Sequence, residues 1–135
     1  MSGHPGIAEI GRRSELNGLY RLAPGTDLPA AISVPGARLT GKAGMLNAVS
    51  EALHFPDYFD ANWDALEECI TDLSWLAGDV RLLIDDAAIP EQRAPEAWGV
   101  LLDILADAAR FWADQGRPFA VFLQGGHAAY PMIAA

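Results

Sequence analysis

The sequence predicts an α/β domain, a small three-stranded parallel sheet packed with helices. Three observations carry this. Apolar runs of strand length occur at "AAISV" (Ala30–Val34), "VRLLI" (Val80–Ile84) and "PFAVFL" (Pro118–Leu123), each bounded by Pro, Gly or acids. Segments of helical period lie between them, and alternation of this kind builds a parallel sheet. With 135 residues, 51% hydrophobic and 20% charged, the chain suits one globular domain.

The elements follow in order. Residues 1–17 read as an N-terminal arm, 18–127 as the domain and 128–135 as a C-terminal tail. "GLYRL" (Gly18–Leu22) reads as a short strand, which would extend the sheet, and "APGTDLP" as a loop. Thr40 is placed to cap a helix running to about Leu53, whose apolar positions are Met45, Leu46, Val49, Ala52 and Leu53. "HFPDYFD" is a loop, because Pro56 disfavours helix at Phe55. "VRLLI" is a continuous apolar run suited to a central parallel strand, ended by Asp85 and Asp86. The longest helix runs from about Pro95 to Gln115, with Gly116 as its stop. Trp98, Leu101, Leu102, Leu105, Ala109 and Trp112 form its buried stripe.

Charge is unevenly placed. The net charge is −9, which argues against a general nucleic-acid or membrane binder. From Ala43 to Val80 there is no Lys or Arg against eight acids, while the other ten acids and nine bases nearly cancel. A localised field of this kind predicts a basic partner.

The field centres on "NWDALEECITDL", read as a helix capped by Asn62. At 100° per residue, Trp63, Leu66, Cys69, Ile70 and Leu73 share one face, and Asp64, Glu67, Glu68 and Asp72 lie opposite. Helix stability alone does not call for this face: the dipole favours Asp64 in the first turn but disfavours Glu68 and Asp72 toward the other end. Asp64–Glu68 and Glu68–Asp72 are like-charge i,i+4 pairs, each unfavourable by roughly 0.2–0.5 kcal/mol. A solvated face of no consequence is the bland alternative.

Other groups point to no chemistry. His4, His54 and His127 have neither zinc nor catalytic spacing. Asp85 and Asp86 lack a phosphate loop or third acid for a Mg²⁺ or phosphoryl site. Cys69, on the apolar face, reads as a buried inert thiol. Acids on one helix face point the same way, which suits presentation to a partner rather than acid–base work on a bond. No catalytic residue, metal or cofactor is expected. A single cysteine, no signal-peptide run and no segment near the roughly 20 apolar residues of a spanning helix lead to an expected cytoplasmic location.

The residues in order, "FPDYF-x-x-NWDAL-x-x-C-I", resemble the barstar family, intracellular inhibitors of barnase-type bacterial ribonucleases. Pro56, Tyr58, Phe59, Asn62, Asp64, Ala65, Leu66, Glu68 and Cys69 stand at the motif positions. "TGKAGMLNAVSEAL", "VRLLIDD" and "ARFWADQGRPFAVFL" resemble the family's first helix and later elements, so the likeness covers roughly Ala30 to Leu123. It implies an inhibitor that is not an enzyme, monomeric when free, whose acidic helix and preceding loop plug a basic ribonuclease cleft as phosphate mimics. The implied contact residues are Tyr58, Asp60, Asn62, Asp64, Glu67, Glu68 and Asp72, with Asp64 and Glu68 central. The chain departs from the pattern at three places: Asp60 stands where the family usually has Gly, Glu67 where its best-known member has Trp, and Phe111 where that member has an acid. Trp75 is the expected substitute aromatic. A non-inhibitory acidic module that regulates another basic protein is the alternative.

Overall fold

Strands with no polar side must be covered on both faces, and this requirement sets the architecture. In the computed structural model, residues 9–10, 12–28, 30–57 and 59–133 are described. Strands β1 (Gly18–Leu22), β2 (Ile32–Val34), β3 (Val80–Ile84), β4 (Phe119–Gln124) and β5 (Met132–Ile133) form one sheet in the order β2-β3-β4-β1-β5. Every pairing between them is parallel. Helices α1 (Lys42–Ala52), α2 (Trp63–Ile70), α3 (Ala88–Arg93) and α4 (Pro95–Asp114) lie between strands in sequence.

The alternation of side chains along β4 divides the core. Phe119, Val121 and Leu123 join the large cluster under the helices, with Leu66, Ile70, Leu101 and Leu105. Ala120 and Phe122 point the other way, to a smaller cluster with Ile10, Leu22, Leu28 and Ile133. Phe122 stacks on Tyr20 with ring centroids 6.0 Å apart. Both faces of β4 are therefore dry, which is why its sequence shows an unbroken apolar run.

The sheet is wider than the three or four strands expected. Gly18–Leu22 is indeed a strand, and β5 adds a fifth from the segment read as a tail. Two residues are too few to show period-two patterning, so β5 left no trace in the sequence. Within the segment read as an arm, Ile10 is fully buried. Asn17 joins it to the domain: its Nδ2 donates to the carbonyls of Ala109 and Arg117, and its Oδ1 accepts from the Phe119 N–H at 2.7 Å.

Two helix starts differ from expectation. Thr40 does not cap α1; Gly41 occupies the cap position with no side-chain bond. The turn Gly36–Arg38 packs on this end so closely that a Cβ on Gly44 would meet the Arg38 carbonyl oxygen at 2.2 Å. The short helix α3, six residues long, was not anticipated from the sequence. Pro90 falls in its first turn, where the N–H has no intrahelical partner to lose.

Glu91 of α3 ties down the approach to β5. Its carboxylate accepts from the His127 N–H at 2.7 Å and faces His127 Nδ1 at 2.8 Å. The backbone hydrogen bond from His127 holds the Glu91 carboxyl below its ordinary value, against the opposing effect of burial. A depressed folded pKa adds stability that is present above the unfolded value and lost as pH falls through the folded one. Amide protection across residues 126–133 is therefore expected to drop as pH falls below 4.5, and Glu91→Gln to abolish that dependence. Protection that stays level in the parent would show that Glu91 is not the tie.

Candidate functional site

The loop before α2 is held from beneath. His54, at φ +53°, ends α1 in the left-handed region, and the Phe55 N–H bonds to the Ser50 carbonyl. Phe55 meets Phe59 edge-on at 5.1 Å and Trp75 at 5.8 Å. Trp75 donates its indole N–H to the Leu53 carbonyl at 2.9 Å. The expected substitute aromatic thus packs inward, as part of this anchor. Asp57 and Asp60 remain exposed above it. Asp60 has no positive φ, so the glycine usual there in the family is not needed for the backbone. Tyr58 lies outside the described residues.

Asn62 starts α2 as its sequence position predicts. Its Oδ1 accepts from the Ala65 N–H at 2.8 Å, satisfying one free donor of the first turn. The two faces of the helix are also as expected. Leu66 and Ile70 are fully buried, and Asp64, Glu67 and Glu68 are exposed. Among the described residues these three carboxylates and Asp72 have no ion pair or hydrogen bond to a side chain or backbone group. All of their accepting capacity faces solvent.

The helix ends sooner than its apolar pattern suggests. It stops at Ile70, so Asp72 sits in the following turn and the pair Glu68–Asp72 is not an i,i+4 helical pair. The Asp72 N–H turns back to the Cys69 carbonyl at 3.1 Å instead of continuing to Glu68. The Ile70 carbonyl, left without a helical donor, accepts the Trp112 indole N–H at 2.8 Å. Leu73 then turns through φ +46° to reach the core, where it is fully buried.

Two hollows flank the acidic face. One, of about 460 Å³, is lined by Asp60, Asn62, Trp63, Asp64 and Glu68 together with Lys42. The other, of about 310 Å³, lies between α2 and α4, where Glu67 and Glu68 meet Ile104, Ala108 and Phe111. Glu68 lines both, so it stands at the centre of the surface. Phe111 is 39% exposed and borders the acids on the α4 side, as Trp63 does in the other hollow. Lys42 was missed in the sequence, where it lies just outside the stretch free of bases. In the fold its Nζ stands 5.8 Å from the centre of the Trp63 ring.

Three other candidates are quiet. Cys69 is buried; burial foremost, then the charges of Asp72 and Glu68, pushes its thiol pKa up and keeps it protonated. Asp85 accepts from the Gly36 N–H at 2.9 Å, which gives its carboxylate a structural use. A Cβ at Gly36 would fall 2.1 Å from the Asp85 carbonyl oxygen, so this crossing requires glycine. Among the described residues no group of three His, Cys, Asp or Glu is placed to hold a metal ion. Nor is any described helix long and apolar enough to cross a membrane.

A capped, two-faced acidic helix, preceded by an aromatic-anchored acidic loop and set beside a parallel sheet, is the arrangement that the sequence likeness implied. The family model described as barstar (barnase inhibitor) matches residues 30–124. The chain belongs to the barstar family. No curated relative matches it. The matched span runs from just before β2 to the end of β4, and so contains the loop, α2 and the α4 residues of both hollows. The family's members are barnase-type inhibitors rather than enzymes.

Proposed function

We propose that this barstar-family protein inhibits a basic bacterial ribonuclease by seating α2 and the loop before it in the active-site cleft, where Asp64 and Glu68 take the places of RNA phosphates. The observation that carries this reading is the set of exposed carboxylates with no ion pair or hydrogen bond among the described residues. Carboxylates on a rigid element accept charge-assisted hydrogen bonds from Arg, Lys and His⁺, the groups that a cleft uses to hold phosphate. Asp60, Glu67 and Asp72 widen the field around the central pair, and Tyr58 supplies an aromatic contact from the loop. Asn62 acts by holding the first turn in place. Phe111 gives the α4 side of the surface an apolar edge where the family's best-known member has an acid, which favours a ribonuclease with an apolar residue opposite. The protein works as a cytoplasmic monomer, without nucleic acid, membrane or cofactor.

A pull-down from the native lysate, with ribonuclease assays on what is captured, tests this reading. Capture of a basic ribonuclease whose activity the protein abolishes is the expected result. Capture only of basic proteins without nuclease activity would favour the regulatory acidic module.

Association is expected to be steered by the acidic field. Its rate constant should fall steeply between low and physiological ionic strength, where the screening length shortens to about 8 Å. Stopped-flow mixing across a salt series measures this, and a flat series would remove the steering.

A further inference from the structure

We infer that Trp112 and Arg117 form a clamp that fixes the C-terminal end of α2 and the loop behind it, and so sets the direction in which Glu67, Glu68 and Asp72 are presented. The inference rests on the inhibitory reading above for its consequence, but not for its geometry.

Arg117 reaches three carbonyls of one loop. Its Nε donates to Gly78 at 3.1 Å, Nη1 to Leu73 at 3.2 Å and Nη2 to Leu76 at 2.5 Å. Its guanidinium lies 5.0 Å from the centre of the Trp112 ring, and the Trp112 indole N–H holds the Ile70 carbonyl at 2.8 Å. The Arg117 N–H returns to the Trp112 carbonyl at 2.9 Å, which keeps the two side chains in register. Four carbonyls, those of Ile70, Leu73, Leu76 and Gly78, are thus gathered by one stacked pair.

The chemistry suits the place. The last carbonyls of a helix lack intrahelical donors and form the negative end of its dipole. The last turn of α2 has no base of its own. Arg117 brings a positive charge to the loop directly after it, from the segment leading into β4. A planar fork with five N–H donors can hold three carbonyls at once, whereas an ammonium on a flexible stem cannot match that geometry. Partial desolvation, which lowers the Arg117 pKa, agrees with a guanidinium engaged by protein groups.

The consequence is preorganisation. Three acids near the free end of a short helix repel one another and favour splaying. A surface that is already ordered loses less entropy on docking, and the gain appears mainly in the dissociation rate. Trp112 and Arg117 are positioning residues in this scheme, since they sit behind the acids and touch no partner.

The test uses Trp112→Phe, which keeps an aromatic ring, smaller than the indole, and removes the N–H, together with Arg117→Lys, which keeps the charge and removes the fork. Hydrogen exchange of the free full-length protein is read across residues 66–78, and dissociation from the captured ribonuclease is read well below each variant's melting midpoint. The expected result is faster exchange confined to this segment, and dissociation about tenfold faster, the size of one lost hydrogen bond. The association rate and its salt dependence should stay unchanged, because neither variant alters net charge. Unchanged exchange overturns the clamp. So does dissociation at the parental rate alongside a lowered melting midpoint, since that would make the pair merely structural. A parent that binds no ribonuclease would sink the inhibitory reading separately, and exchange in the free protein would then decide the clamp by itself.

Discussion

Asp64→Ala and Glu68→Ala are each expected to weaken inhibition by about 2–5 kcal/mol, a range for truncating one member of a buried charge pair to which barnase–barstar itself contributed, so it is borrowed and not independent. The loss is large because the partner suffers most: cations of the cleft, desolvated on docking, would be left without an acceptor. Glu68 should be the more costly of the two, since it alone lines both hollows. The fold should be untouched. Both side chains are exposed, and among the described residues neither has a bond to lose. Circular dichroism controls for folding, and titration against the captured ribonuclease reads the loss. Glu51→Ala serves as the comparison, because Glu51 is exposed on α1 and engaged by Arg38. It should act weakly, through the association rate. A double Asp64/Glu68 alanine variant that inhibits like the parent would end the phosphate-mimic mechanism for this chain and leave the acidic module in its place.

Much of this site was legible because local rules set it. Asn62 before an apolar-periodic segment reads as a cap, and the structure places its oxygen on the Ala65 N–H. The split into faces followed from spacing alone, and burial agrees at Leu66, Cys69 and Ile70. What could not be read was decided by residues distant in sequence. The last carbonyl of α2 is held by Trp112, 42 positions away, and the loop behind it by Arg117. Lys42 joins the acids only because α1 and α2 pack side by side, a contact with no sequence signature. Trp75 was misplaced for the same reason: its partners, Phe55 and the Leu53 carbonyl, become visible only when the loop closes. For the fold, β3 and β4 announced themselves through long apolar runs, while β5 has two residues and α3 six, too few to show a period.

Leu66→Ala and Ile70→Ala are expected to destabilise the fold by about 2–5 kcal/mol each, the range for removing a large aliphatic side chain from a packed core. Both residues are fully buried in the large cluster beneath the helices. Ile70 also stands where the Trp112 indole N–H meets α2, so a cavity there should loosen the helix end as well as cost packing. Asp72→Lys makes the opposite case on the same segment. Asp72 is exposed in the turn after α2 and carries like-charged neighbours, so lysine there should leave stability unchanged or raise it slightly. The contrast separates the two faces by function: apolar positions hold the fold, and the acids toward the C-terminal end of α2 carry a charge from which the fold gains nothing. Thermal melts of the three variants decide it. A marked loss of stability in Asp72→Lys would mean that the acidic face has a structural role, and would weaken the case that its charges exist for a partner.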